Sequence, residues 1–171
     1  MVPFIVLAIL DGHYRTSFVL FLLAGLTDGL DGLLARLLHQ KTILGQYLDP
    51  VADKLLLSTL FLVLHHQGFI SRRVTVLVFG RDLGILMVAA ILYASMGIRD
   101  FRPSIFGKGN TLAQIIALVT VLLSQFYAPK AVITLRNASL MATTILTVVS
   151  GFHYAWRVGR RLSLPVAAVR S

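Results

Sequence analysis

What most limits the fold of this chain is a succession of apolar stretches, several of them near the ~18–20 residues that a helix needs to cross the hydrocarbon layer of a bilayer. Short polar turns separate them. The pattern predicts helices over Ser17–Leu38, Gly45–His65, Val74–Met96, Thr111–Phe126 and Ala138–Trp156. They are preceded by a short apolar start, Val2–Leu10, that Asp11-Gly12-His13 brings to an end. The expected fold is therefore all-α and integral to the membrane: one domain over residues 1–171 with six transmembrane helices, the first cut short. No internal repeat, low-complexity tract or soluble module interrupts it. Hydrophobic residues make up 57% of the chain, against about 45–50% in ordinary soluble domains. That surplus calls for lipid as solvent.

With no cysteine, disulfides and cysteine-ligated zinc or iron–sulfur sites are excluded, so a metal must be held by oxygen or imidazole. The net charge of +9 fits anionic lipid headgroups. Nucleic acid would need an exposed basic surface with interleaved aromatics, which no segment here offers. Basic residues divide between the two ends of the expected helices. Arg36, Lys41, Arg99, Arg102, Lys108, Arg157, Arg160, Arg161 and Arg170 fall on one side, and Arg15, Arg72, Arg73, Lys130 and Arg136 on the other. The richer side is read as cytoplasmic, with both termini on it, although the Arg72-Arg73 pair opposes that orientation. Tyr154 and Trp156 close the last helix as interfacial aromatics do, and the basic tail from Arg157 to Arg161 suits either anionic headgroups or a plain inside anchor.

All seven acidic residues are aspartates, and Asp28, Asp31, Asp49 and Asp53 gather at the inner ends of the second and third helices. At about 100° per residue, Gly25, Asp28, Asp31, Gly32, Ala35 and Arg36 share one arc of helix two, while Gly45, Asp49 and Asp53 line one face of helix three. A carboxylate at membrane depth costs roughly 2.5–3.5 kcal/mol on insertion scales, so four together require cations. Arg36 and Lys54 can neutralise part of the charge. An oxygen-only set suits magnesium, manganese or calcium, and two ions balance it. Magnesium pairs few carboxylates with substrate phosphate, which points to a phosphorylated ligand. Plainer roles compete at single positions. Asp11 and Asp82 suit structural hydrogen bonding, the glycines helix packing, Arg36 a snorkelling anchor, and Pro50 the start or a kink of helix three.

The run Asp28-x-x-Asp31-Gly32-x-x-Ala35-Arg36, eight residues, then Gly45-x-x-x-Asp49-x-x-x-Asp53, resembles the signature of the CDP-alcohol phosphatidyltransferases at every defining position. The likeness extends to Thr27, to Leu48–Lys54, to Gly80-Arg81-Asp82, and to Gly107-Lys108 with Asn110-Thr111 and Gln114. It implies a six-helix homodimer of bacterial inner-membrane type whose active site opens to the cytoplasm. It also implies a metal-dependent transfer of a phosphatidyl group from CDP-diacylglycerol to an alcohol, with release of CMP. By that resemblance Asp28, Asp31 and Asp49 are metal ligands for Mg²⁺ or Mn²⁺, and Asp53 is the general base that also touches metal. Gly32, Ala35, Arg36 and Gly45 accommodate the CDP portion. Arg81 and Lys108 are candidates for the acceptor phosphate, each with a plain alternative as a helix-end or loop cation.

The Ala24–Asp28 lead-in and the Asp49–Lys54 run resemble the branch that makes anionic lipids, with glycerol 3-phosphate as first acceptor. Asp82, where glycerophosphate enzymes often have Glu, and Lys108-x-Asn110-Thr111 lean toward cardiolipin synthase, which uses phosphatidylglycerol. Relatives carry an amphipathic segment before a proline that resembles Pro3, so about half of helix one is expected to be missing from this chain. An explanation of another class is a cation or proton transporter. It would spread acidic residues along a path and break helices near the midplane, and this chain does neither.

Overall fold

The structure is a computed structural model that describes the backbone of residues 2–37, 43–96 and 105–162. Within these, the side chains of 31–33, 35–37, 43–53, 89–90, 92–96, 105–106, 157–158 and 161–162 lie outside the description. The described residues form six α-helices and no strand: α1 Val2–Leu10, α2 Tyr14–Leu37, α3 Ile43–His66, α4 Arg72–Met96, α5 Ile105–Ser124 and α6 Lys130–Leu162.

Two of the turns use one device. Gly12 and Gly68 take positive φ, 75° and 80°, which a side chain would resist. Around them Gly12 N–H donates to the Ile9 carbonyl and His13 N–H to that of Ala8, while Gly68 N–H donates to His65 and Phe69 N–H to Leu64. Both are Schellman closures that satisfy the last carbonyls of α1 and α3. The two turns meet: Tyr14 stacks edge-on against Phe69 at 5.3 Å, and Gln67 Nε2 donates to the Ile9 carbonyl at 3.3 Å. The α5–α6 turn joins them through Phe18 and Phe126, whose ring centroids are 5.5 Å apart. Three turns therefore share one end of an up-and-down bundle. The apolar core lies beside that end, where Ile5 and Ile9 of α1, Phe21 of α2, Leu60, Phe61 and Leu64 of α3, Val78 of α4 and Val121 and Leu122 of α5 are buried together.

Two helices begin earlier than their sequence suggests. α5 starts at Ile105 rather than Thr111, because the ~1 kcal/mol that each of Gly107 and Gly109 costs a helix is offset by the bonds that Asn110 and Thr111 make to other helices. α6 starts at Lys130 rather than Ala138. The Pro129 carbonyl accepts from the N–H groups of Val132 and Ile133, and Thr134 bonds back to the Lys130 carbonyl, so the polar residues expected in a loop are helical. Pro50 lies inside α3, not at its start. α6 also runs on to Leu162 rather than ending at Trp156, so the backbone of the expected basic tail from Arg157 to Arg161 is helical; elsewhere the expected helices agree with those found to within a few residues.

Gly107–Ser124 and Lys130–Trp156 are long and apolar enough to cross a membrane. The first is 44% buried and the second 17%, so α5 is the interior helix and α6 lies at the periphery. α5 packs against α2, α3 and α6. The outward face of α6 shows Met141, Ile145, Phe152 and Trp156, and α1 and α2 expose Phe4 and Leu26. An apolar exterior of this extent is what a membrane protein presents to lipid.

Candidate functional site

The acidic motif sits at the end of the bundle opposite the three turns. Asp28 and Asp31 belong to the second half of α2, and Asp49 and Asp53 to the first half of α3. Both helices run unbroken through their pair, so spacings of three and four set each pair on one helical face. Asp28 is exposed. Beside it, a Cβ placed on Gly25 or Gly29 would meet nothing within 4 Å among the described residues, so this flank of α2 is open. An exposed carboxylate on an open, glycine-bearing face, together with an oxygen-only donor set, fits a hard divalent cation with substrate phosphate as co-ligand. Beyond their backbone, Asp31, Asp49, Asp53, Gly32, Ala35, Arg36 and Gly45 lie outside the description, and among the described residues no three acidic or histidine side chains converge.

Directly after Asp53 the described side chains resume with Lys54, which opens a buried polar network. Lys54 Nζ donates to Asp82 Oδ1 of α4 and to Thr111 Oγ1 of α5, both at 3.2 Å. Asp82 is 1% exposed. Its Oδ1 also accepts from Arg81 NH1 at 2.6 Å, and its Oδ2 accepts from Gln114 Nε2 at 3.2 Å. Arg81 in turn donates from Nε to Ser150 Oγ of α6 at 3.2 Å. The Arg81 stem lies beside Gly151 of α6, where a Cβ would stand in ordinary contact, 3.8 Å from Arg81 Cγ. One turn away, Thr147 Oγ1 donates to Asn110 Oδ1 at 2.9 Å. Four helices, α3 to α6, are thus tied at one level, immediately beside the last residue of the acidic motif.

Arg81 is therefore an interior cation held by α4 and α6. It borders an open, mostly apolar cleft of ≈ 470 Å³ between those helices, with Leu77, Gly80 and Val148 on the walls. Lys108 lies in the first turn of α5 and is exposed, at the same end of the bundle as the acidic motif. Asp82 takes the structural hydrogen-bonding role that was one of its two sequence readings, and Asp11 is exposed at the α1–α2 turn.

Sequence reasoning did not single out Ser150 and Thr147. A signal was present, because Ser139, Thr143, Thr147 and Ser150 recur at helical spacing along α6 and all four are buried. Such a polar stripe on an otherwise apolar helix marks the face turned toward other helices.

The profile of the CDP-alcohol phosphatidyltransferases matches residues 1–149. The chain is 35% identical over 158 residues to the CDP-diacylglycerol–glycerol-3-phosphate 3-phosphatidyltransferase of Aquifex aeolicus (strain VF5), covering 89% of this chain and 85% of that protein. It is 30% identical over 136 residues to the Bacillus subtilis (strain 168) protein of the same name, covering 80% and 69%. It is also 29% identical over 174 residues to the cardiolipin synthase (CMP-forming) of Rattus norvegicus, covering 90% of this chain but 57% of that longer protein. With every signature position from Asp28 to Asp53 present, and a match that runs from the first helix into the sixth, the chain belongs to the CDP-alcohol phosphatidyltransferase family.

Proposed function

We propose that this protein transfers a phosphatidyl group from CDP-diacylglycerol to glycerol 3-phosphate and releases CMP. The observation that carries the reading is the complete acidic signature on two helices at the end of the bundle away from its core. The choice of acceptor is supported by the similarity to proteins named as glycerol-3-phosphate phosphatidyltransferases.

The reaction needs an acceptor oxygen to attack the lipid-side phosphorus in line, a new P–O bond to form, and the bond to the CMP phosphate to break. Asp53 takes the proton that the acceptor hydroxyl gives up. Gly32, Ala35, Arg36 and Gly45 receive the cytidine diphosphate portion. Arg81 and Lys108 supply positive charge for the acceptor phosphate, and Lys108 is exposed where a soluble acceptor can reach it. Asp28, Asp31, Asp49 and Asp53 would hold magnesium or manganese, which when bound would neutralise charge on the diphosphate. One domain with six membrane-embedded helices, a homodimeric assembly and a site facing the cytoplasm of a bacterial inner membrane complete this reading. The division of basic residues between the two ends of the bundle supports the orientation.

A second reading, cardiolipin synthesis with phosphatidylglycerol as acceptor, is favoured by the likeness to the rat cardiolipin synthase and by Asp82 following Arg81. Purified protein in mixed micelles with CDP-diacylglycerol, given glycerol 3-phosphate or phosphatidylglycerol, separates the two by CMP release. Turnover with glycerol 3-phosphate alone is the expected result. Turnover with phosphatidylglycerol alone replaces the first reading by the second, and CMP release with neither acceptor refutes both.

A further inference from the structure

The seam between α5 and α6 is polar at successive levels. Toward one end Thr147 Oγ1 donates to Asn110 Oδ1 at 2.9 Å, and toward the other Thr120 Oγ1 lies 2.9 Å from Ser139 Oγ. These two pairs fix an antiparallel register, in which Gln114, one turn after Asn110, falls opposite Thr143, one turn before Thr147. Asn110, Gln114 and Thr143 are all 0% exposed, beyond the reach of bulk water. Yet among the described residues Asn110 Nδ2, Gln114 Oε1 and Thr143 Oγ1 have no hydrogen-bond partner. Three orphaned groups on two adjacent turns call for an explanation, because a buried polar group without a partner weighs heavily against a folding free energy that is itself small.

The chemistry of the three atoms says what fits between them. The Asp82 carboxylate only accepts, so Gln114 must turn Nε2 toward it, at 3.2 Å, and keeps Oε1 as an acceptor in need of a donor. Asn110 has its Oδ1 on Thr147 and keeps Nδ2 as a donor, while the Thr143 hydroxyl can both give and accept. A cation is repelled by the amide N–H and an anion by the amide oxygen, so the ligand is neutral and both donates and accepts. Adjacent helical turns lie ~5.4 Å apart, about two hydrogen bonds of ~2.8 Å laid end to end, which is the span of one water. We propose that a single buried water binds between α5 and α6 at this level, accepting from Asn110 Nδ2–H and Thr143 Oγ1–H and donating to Gln114 Oε1. Three partners are the usual number for a buried water. It closes the seam between the two direct bonds and steadies the Gln114 amide that faces Asp82.

The site exists whether or not the chain transfers a phosphatidyl group, so its test needs no turnover. Wild type, Thr143→Ser and Thr143→Val are crystallised from a lipid phase to a resolution that shows ordered water. In parallel, isotope-labelled samples of each in micelles are probed by NMR for cross-relaxation between water and the Asn110 side-chain amide protons. Wild type is expected to show one density peak within ~2.7–3.2 Å of all three atoms, and a cross-relaxation signal of the sign that marks a long-lived bound water and not proton exchange. Thr143→Ser keeps the hydroxyl and should keep both. Thr143→Val removes one of the three partners at nearly unchanged shape, and should lose the peak and weaken the signal severalfold. Thr143 Oγ1 bonded directly to Gln114 Oε1 with no peak between them overturns the proposal. So does a wild-type Asn110 amide without the signal, or a signal that Thr143→Val leaves unchanged. If crystals do not form, the micelle measurement decides alone; if Thr143→Val does not fold, wild type and Thr143→Ser decide, and a signal missing from wild type still overturns the site.

Discussion

Replacing Thr147 by Val removes the hydroxyl that bonds Asn110 Oδ1 at 2.9 Å and leaves the shape of the side chain nearly unchanged. Both residues are buried, at 2% and 0% exposure, so bulk water cannot take over the lost bond. Asn110 Nδ2 has no hydrogen-bond partner among the described residues, and the substitution leaves Oδ1 without one as well. Hydrogen bonds between membrane helices average ~0.6 kcal/mol with a maximum near ~1.7 kcal/mol, and a buried polar group deprived of its partner costs about 1–3 kcal/mol. The expected loss lies where those ranges overlap, at about 1–1.7 kcal/mol, or a ~5–18-fold change in the folding equilibrium. Reversible unfolding in mixed detergent micelles measures it. Thr144→Val is the control, because that hydroxyl bonds only the Leu140 carbonyl of its own helix; its expected change is under about 0.5 kcal/mol. A cycle that adds Asn110→Leu should return most of the loss, since no orphaned amide then remains. If Thr147→Val proves as harmless as Thr144→Val, the polar seam does not hold α5 to α6 and the reasoning fails.

Asp53→Asn should lower kcat by ~10²–10⁴-fold through loss of the proton acceptor, with the melting temperature unchanged; single-turnover CMP release checks this, and an effect below tenfold removes Asp53 from that role. Chelation of divalent metal should stop turnover and magnesium or manganese should restore it, while calorimetric titration of Asp28→Asn with Mn²⁺ should show weakened binding. Gly68→Ala should destabilise by about 1–2 kcal/mol because φ is +80°. Gly109→Ala, with ordinary helical backbone and nothing within 4 Å of the added carbon, should be neutral or stabilising by up to about 1 kcal/mol; melting temperatures of the two variants decide both.

Helix number and the Gly12 turn were legible in sequence because apolar length and the Asp11-Gly12-His13 stop are local signals. The starts of α5 and α6 were not. Gly107, Gly109, Lys130 and Arg136 read as loop by propensity, and what makes them helical is tertiary: Asn110 and Thr111 are bonded to α6 and α3, and Pro129 organises the first turn of α6. That the acidic motif divides between two helices was legible because its spacings of three and four are helical. The network around Asp82 was only half so. Lys54, Arg81 and Gln114 each stood out as a residue, but that one carboxylate gathers them depends on how α3, α4 and α5 lie side by side, and no local pattern encodes that.

The joined turns bear on alignment. From Tyr14 to Asp28 the rise of α2 amounts to ~21 Å, so a tilt of only about 1–2° at the packed end moves Asp28 by roughly 0.5 Å, the tolerance within which catalytic groups must be held. The edge-on contacts of Tyr14 with Phe69 and of Phe18 with Phe126 sit at the short end of that lever. Aromatic residues on the far side of the bundle from the aspartates therefore set where Asp28, proposed above to hold metal, comes to lie.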